Sequence, residues 1–200
     1  MLEEKLKAYR IILASGSPRR KELLAEMGLS FELRLKTVEE SYPDHLKGEQ
    51  IPSYLAKKKA QLYQGELKAN EILITADTVV WHIDSSLEKP GNREEAFEML
   101  QALSGNWHEV ITSVCICTKD STQLVSDLTR VKFADLSPEE IAYNIDKYQP
   151  FDKAGAYGIQ EWLGLVGIEE IAGSYTNVVG LPTQKLYKAL TERLDQAESQ

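Results

Sequence analysis

Apolar and polar positions along the chain follow two different periods, and together they predict an α/β protein. Short apolar runs alternate with segments whose apolar residues recur every three or four positions, as on one face of a helix. Hairpin turns predicted at residues 84–86 and 119–121 favour a mixed sheet over a purely parallel one. The predicted strands cover residues 10–14, 31–35, 71–75, 79–83, 109–118, 122–133 and 163–171. The predicted helices cover residues 18–27, 52–67, 93–103, 138–147 and 182–194.

The length and the charge of the chain limit its organisation and its partners. Its 200 residues suit one domain, which we place at residues 1–195, followed by a frayed tail at residues 196–200. The formal net charge of −8 argues against a nucleic-acid polymer or an anionic membrane as a partner. An anionic small substrate would therefore need a local cluster of basic residues.

The lack of a recognisable targeting signal and two cysteines that are expected to stay free favour a cytoplasmic location. No apolar run is long enough to span a bilayer, and residues 1–5 lack the charged-then-apolar layout of a signal peptide. Cys115 and Cys117 stand two residues apart on a predicted strand. We expect them to point to opposite faces of that strand and to remain free thiols. A cytoplasmic location is therefore expected.

The most informative segment lies at residues 15–20 and reads Ser-Gly-Ser-Pro-Arg-Arg, between a predicted strand and a predicted helix. Pro18 suits the first turn of a helix, where its missing N–H would be unpaired anyway. Two hydroxyls, backbone N–H groups and the guanidiniums of Arg19 and Arg20 are thus gathered at one helix start. This combination is well suited to binding a polyphosphate.

An acidic residue, Asp77, interrupts the apolar run at residues 72–80. Aspartate is disfavoured in strands, and a buried carboxylate is costly unless it is paired or bound to a metal. At a strand break facing a cleft it would be a candidate metal ligand or general base. The alternative is a turn residue that caps a local bend of the backbone.

Other segments narrow the function classes. Two glycine-containing segments, at residues 151–160 and 173–182, allow close approach of the backbone. A structural loop explains the first segment as well as a functional site does, and it explains the second segment better. The sequence contains no Walker loop, no Gly-x-Gly-x-x-Gly fingerprint after a strand and no nucleophile elbow. Its three histidines show no spacing typical of metal ligands. The usual P-loop kinase and dinucleotide dehydrogenase interpretations are thereby disfavoured.

In this order, these segments resemble the Maf family of nucleotide pyrophosphatases. The resemblance spans nearly the whole chain, from the Ser-Gly-Ser-Pro-Arg-Arg junction through Glu39-Glu40, Ala76-Asp77-Thr78 and Lys89-Pro90 to residues 152–160 and 173–182. It implies an inosine-triphosphatase-like α/β fold, with a long curved mixed sheet flanked by helices and a cleft between two lobes. It also implies hydrolysis of nucleoside triphosphates to the monophosphate and pyrophosphate with Mg²⁺ or Mn²⁺.

The resemblance and the residue chemistry together suggest a role for each candidate residue. Asp77 is expected to accept a proton from the attacking water or to bind the metal, and these two roles stay open. Glu40 is expected to be the second carboxylate at the metal, with Glu39 in solvent. The residues expected to hold the substrate are Ser15, Ser17, Arg19, Arg20, Lys59, Lys89 and Lys153. Arg19, Thr78 and Gln160 resemble the set of the subgroup that acts on dTTP and UTP.

Two alternatives to a dTTP/UTP pyrophosphatase stay open. The enzyme could act on modified or purine nucleotides. The segment Glu161-Trp162-Leu163 departs from the glycine-rich stretch of many family members, which leaves the shape of the base pocket open. The protein could instead be a non-enzymatic nucleotide-binding regulator, since the family is linked to inhibition of septum formation. Family resemblance also suggests a homodimer.

Overall fold

The computed structural model describes residues 2–198 as a mixed sheet flanked by helices, which confirms the predicted α/β class. Its strands are β1 (Arg10–Leu13), β2 (Phe31–Leu33), β3 (Glu71–His82), β4 (Ser85–Leu87), β5 (Trp107–Cys117), β6 (Thr122–Phe133) and β7 (Ile168–Ala172). Its helices are α1 (Leu2–Leu6), α2 (Pro18–Glu26), α3 (Gln50–Gln61), α4 (Arg93–Leu103), α5 (Pro138–Tyr148), α6 (Trp162–Val166), α7 (Tyr175–Val179) and α8 (Thr183–Glu198). Within this range no helix combines the length and apolar character needed to cross a membrane.

The sheet has the order β2-β1-β3-β5-β6-β7, with β4 also paired to β3. The β1 strand is parallel to β2 and β3, whereas β3, β5, β6 and β7 are antiparallel neighbours. Helix α3 covers one face over a small apolar cluster that includes Ile12, Ala56 and Leu73. The other face carries the larger core, to which α1, α2, α4, α5, α7 and α8 contribute buried side chains.

One edge of β3 is open in its middle, and this opening positions the candidate site. β1 pairs with β3 over Glu71, Ile72, Leu73 and Ile74, while β4 pairs with the same edge at Val80, Trp81 and His82. The opposite edge of β3 is occupied by β5. Residues 75–79 therefore face a gap between β1 and β4. Because neighbouring strand residues point to opposite faces, this gap gives a ligand access to both faces of the sheet.

Helix starts in the structure follow the capping signals of the sequence. The Asn92 side chain accepts a hydrogen bond from the Glu95 N–H at the start of α4. Ser137 and Glu140 form a reciprocal capping box at the start of α5. Pro18 occupies the first turn of α2, as predicted. These local signals explain why the starts of α2, α4 and α5 were predicted correctly.

Three predictions of local structure are wrong. Residues 71–83 do not form two strands, because β3 runs without a break through Asp77. The strand predicted at residues 163–171 is helix α6 followed by β7, since a short apolar run does not distinguish a helix from a strand. Cys115 and Cys117 share one face of β5, with 3.5 Å between the two Sγ atoms, because alternate strand residues point the same way.

The predicted tail overlaps the last helix. α8 continues to Glu198, so residues 196–198 are helical. Residues 199 and 200 of the predicted tail lie outside the described residues.

A buried histidine makes the stability of this fold sensitive to acid. His108 is 2% exposed, its Nε2 lies 2.8 Å from the Tyr157 hydroxyl, and burial lowers its pKa to about 3. Because the unfolded chain binds this proton near pH 6.5, the free energy of unfolding falls as the pH drops from there towards 3. We expect His108 to account for a loss of about 2 kcal/mol between pH 7 and pH 5.

Urea unfolding at the two pH values tests this expectation. The His108→Gln variant should be less stable at pH 7 but should lose less stability on acidification. His45→Gln removes an exposed histidine and serves as the control. An unchanged pH dependence in His108→Gln would contradict the assignment.

Candidate active site

A cleft of about 610 Å³ opens beside the free segment of β3. Its walls include the β1–α2 junction, the loop after β2, one side of α3 and the loop that contains Lys153. Both ionisable and apolar side chains line these walls, so the cleft offers charged contacts and an apolar surface at the same time. A cleft of this size and character is a common form of small-molecule site.

Two carboxylates in the cleft form ion pairs with the same lysine. Lys59 Nζ on α3 lies 2.6 Å from Asp77 Oδ1 on β3 and 2.7 Å from Glu40 Oε1. Lys89 Nζ lies 2.9 Å from the other Glu40 oxygen, Oε2. The structure thus brings Glu40, Lys59, Asp77 and Lys89 together, although the sequence separates them widely.

The two carboxylates have different proton affinities. Burial raises the pKa of Asp77 above its usual range, and the positive charges of Lys59 and Arg20 offset this only in part. Burial also acts on Glu40, but Lys59 and Lys89 outweigh it and lower the pKa of Glu40 to about 2. Glu40 is therefore a permanent carboxylate at neutral pH, whereas the environment of Asp77 favours proton uptake.

A second cationic group lies around Asp152. Arg19 Nη1 contacts Asp152 Oδ2 at 3.2 Å, and Lys153 Nζ contacts Asp152 Oδ1 at 2.7 Å. Lys153 is 8% exposed and also contacts Glu161 Oε1 at 3.0 Å. Arg19, Asp152 and Lys153 line the cleft. The predicted phosphate-binding cations therefore surround the same space as Asp77 and Glu40.

The Arg20 side chain is already engaged by the protein. Its Nε donates to the Gly180 carbonyl, Nη1 donates to Ser15 Oγ and the Ala76 carbonyl, and Nη2 donates to Thr78 Oγ1, at 2.9 to 3.2 Å. A guanidinium has five N–H groups, so one is left for a ligand. Arg20 lines the cleft as predicted, but its contacts mainly hold the junction, β3 and the end of α7 together.

Three of the other predicted residues line the cleft and one does not. Ser15 and Ser17 both line it, and the Ser17 side chain makes no capping bond at the start of α2. Thr78 is half-buried on the opposite face of β3 from Asp77 and also lines the cleft. Gln160 is exposed and is not part of the cleft wall, although its neighbours Gly158 and Ile159 are.

Comparison with known proteins identifies the family. The family model described as Maf-like protein matches residues 10–193. The chain belongs to the Maf family.

Similar proteins share nearly the full length of this Maf chain. A Flavobacterium johnsoniae protein named dTTP/UTP pyrophosphatase is 56% identical over 96% of this chain and 98% of its own. A Bacteroides fragilis protein of the same name is 53% identical over 94% of this chain and 97% of its own. A solved nucleoside-triphosphatase, titled dITP/XTP pyrophosphatase, from Mycobacterium abscessus is 12% identical, with a TM-score of 0.46 over 95% of this chain and 97% of that chain.

The donor set in this Maf protein fits a hard divalent cation that also binds the substrate. Asp77 and Glu40 each place one oxygen within 2.7 Å of the same Lys59 nitrogen, so both can approach one bound cation. The described residues contain no cluster of three or more potential His, Cys, Asp or Glu ligands. Mg²⁺ is commonly held by one or two carboxylates, with water and substrate phosphates completing its shell. Two carboxylates beside a surface lined by arginine and lysine side chains match that pattern.

Sequence reasoning missed several residues of this Maf site. Asp152 was given no role, yet it pairs with both Arg19 and Lys153. Thr112 and Asn177, which lie behind Thr78, were not predicted at all. The 173–182 segment gave a weak signal for Asn177, but nothing in β5 distinguished Thr112, because buried threonines are ordinary strand residues.

Proposed function

We propose that this protein is a nucleoside triphosphate pyrophosphatase that hydrolyses dTTP and UTP to the monophosphate and pyrophosphate. The observation that carries the proposal is that Asp77 and Glu40 both pair with Lys59 inside a cleft lined by further cations. The names of relatives that are 56% and 53% identical support the choice of substrates.

The reaction needs a water molecule to attack the α-phosphorus of a highly anionic substrate. The bond between that phosphorus and the oxygen bridging to the β-phosphorus breaks, and pyrophosphate leaves. Asp77 accepts the proton of the water or would instead hold the metal, and its raised pKa suits the first role. Mg²⁺ or Mn²⁺, held by Asp77 and Glu40, would neutralise charge on the triphosphate.

The surrounding cations position the triphosphate. Arg19 can grip two phosphate oxygens at once, whereas Lys59, Lys89 and Lys153 act as single charges. Each of these cations is paired with a carboxylate of the cleft wall. We therefore propose that phosphate oxygens replace or share these ion-pair partners when the substrate binds. Ser15 and Ser17 add hydroxyl contacts at the start of α2.

Thr78, which lines the cleft, is the first residue that we propose to select the base. Gln160 is retained as a proposed third determinant with Arg19 and Thr78, although it lies outside the cleft wall. An amide offers a donor and an acceptor, which matches the imide edge of uracil or thymine. An unchanged pyrimidine preference in Gln160→Glu would remove Gln160 from the proposal.

A substrate panel tests the activity. Pyrophosphate release should be fastest with dTTP and UTP, should require Mg²⁺ or Mn²⁺ and should stop on addition of a chelator. Faster release from purine or modified nucleotides would favour the alternative substrates. Binding of nucleotide without any hydrolysis would favour a non-enzymatic regulator of septum formation.

We also propose that the protein acts on free nucleotides as a cytoplasmic homodimer. Its net charge of −8 supports a small-molecule substrate over a nucleic-acid polymer or an anionic membrane. The dimer rests on family resemblance, and light scattering of the purified protein distinguishes it from a monomer.

A further inference from the structure

A chain of hydrogen bonds runs behind the cleft from Arg20 to α7. Arg20 Nη2 lies 3.0 Å from Thr78 Oγ1, and Thr78 Oγ1 lies 2.9 Å from Thr112 Oγ1 on β5. Thr112 Oγ1 in turn lies 2.9 Å from the Asn177 backbone carbonyl oxygen. The chain thus connects the cleft wall to a buried residue of α7 that the proposed mechanism does not use.

The chemistry of the two ends determines the direction of every bond in this chain. A carbonyl oxygen can only accept, so Thr112 donates its single hydroxyl hydrogen to Asn177. Thr112 then has no hydrogen left for Thr78, so Thr78 is the donor between the two hydroxyls. The guanidinium of Arg20 can only donate, so Thr78 accepts from it. Thr78 has therefore used its one hydrogen and one of its two lone pairs.

The acceptor at the end of the chain is firmly held. Asn177 is fully buried, and its Nδ2 donates to the Val110 carbonyl and to Thr129 Oγ1, both at 2.9 Å. Thr112 is also fully buried. A buried hydroxyl that lost its acceptor would be destabilised by about 1–3 kcal/mol, so the chain resists reversal.

We infer that Thr78 acts in the cleft only as a hydrogen-bond acceptor, and that it reads the N3–H of a uracil or thymine base. This inference rests on the proposed function. Phosphate oxygens and base carbonyls are acceptors themselves and cannot pair with a lone pair. The N3–H is a donor that dTTP and UTP share, whereas N3 of cytosine is an acceptor. Thr112 is a positioning residue that acts through Thr78.

The surroundings of Thr78 suit a base better than a phosphate. Gly180 lies next to Thr78, since a Cβ at Gly180 would be 3.6 Å from Thr78 Oγ1, and it lines the cleft together with the preceding Val178 and Val179 of α7. The nearby cation, Arg20, has four of its N–H groups occupied by the protein. An apolar wall with one fixed acceptor can hold an aromatic ring and select its donor edge.

Paired substrates and variants test the inference. The ratio of kcat/KM for UTP to that for N3-methyl-UTP is measured in the wild type and in Thr78→Val. Valine has nearly the volume of threonine, so steric rejection of the methyl group stays the same and the change in ratio reports the hydrogen bond. We expect the ratio to fall by about tenfold or more in Thr78→Val.

Thr112 variants test whether the Thr78 hydroxyl is held so that it only accepts hydrogen bonds in the cleft. Thr112→Val frees the Thr78 hydrogen to turn into the cleft, so the same ratio should fall while thermal unfolding shows a folded protein. Thr112→Ser keeps the chain intact and should restore the ratio. If Thr112→Val folds but keeps the wild-type ratio, the inferred direction of the Thr78 hydrogen bonds is wrong.

Other outcomes separate this inference from the proposed function. If UTP is hydrolysed and Thr78→Val leaves the ratio unchanged, the inference fails and the proposed function stands. If Thr78→Val instead abolishes a preference for UTP over 3′-deoxy-UTP, the hydroxyl reads the sugar and the base assignment is overturned. If the wild type hydrolyses neither UTP nor dTTP, the proposed function fails and the inference fails with it.

Discussion

Replacing Asp77 by asparagine is expected to reduce kcat for UTP by about 10²–10⁴-fold, the usual contribution of a general acid–base group. Asparagine keeps the size of the side chain and can still accept a hydrogen bond from Lys59, so the wall of the cleft should persist. It can neither take a proton from water nor supply a negative charge to a metal. Pyrophosphate release at saturating substrate and metal measures the loss.

A matched control separates this effect from general damage. Asp127 also lies on a strand of the sheet and pairs with a lysine, with 2.8 Å between its Oδ1 and Lys185 Nζ, but it does not line the cleft. Asp127→Asn should retain wild-type turnover. Undiminished turnover in Asp77→Asn would mean that Asp77 is neither the base nor a metal ligand.

The metal dependence of the residual activity distinguishes the two roles of Asp77. If Asp77 is mainly a base, Asp77→Asn should lower kcat while the metal concentration for half-maximal activity stays constant. If Asp77 is mainly a ligand, that concentration should rise and added metal should restore part of the rate. The raised pKa of Asp77 favours the first result.

The candidate site could be predicted from the sequence where a residue conflicts with its local context. Asp77 stands out because a carboxylate in an apolar strand needs a compensating partner. The junction at residues 15–20 stands out because hydroxyls and arginines start a helix. Both lie at the cleft. Capping signals and long periodic segments likewise placed α4 and β6 correctly.

What the sequence could not reveal depends on long-range packing. The family resemblance points to Lys59 among three consecutive lysines, but only the orientation of α3 over β3 shows that Lys59 contacts Asp77. The polarity of Thr78 depends on Thr112 and Asn177, which come from distant segments. The short helix α6 was missed because its apolar residues are too few to show a period.

Replacing Glu40 by glutamine is expected to raise the metal concentration needed for half-maximal activity by about 10–100-fold, as when groups that support a metal site are removed. Lys59 and Lys89 hold the pKa of Glu40 at about 2, so at neutral pH the wild-type residue always presents a negative charge to a cation. Glutamine retains an oxygen but loses that charge, and Mg²⁺ prefers carboxylate ligands.

The adjacent residue provides a control with the same chemical change. Glu39 is exposed and does not line the cleft, so Glu39→Gln removes one negative charge without touching the site. Titrations of activity with Mg²⁺ and Mn²⁺, and direct measurement of Mn²⁺ binding in the presence of nucleotide, compare the two variants. Equal shifts in Glu39→Gln and Glu40→Gln would indicate a general charge effect and would remove Glu40 from the metal site. A shift confined to Glu40→Gln would identify Glu40 as a metal ligand, because only that carboxylate meets Asp77 at Lys59.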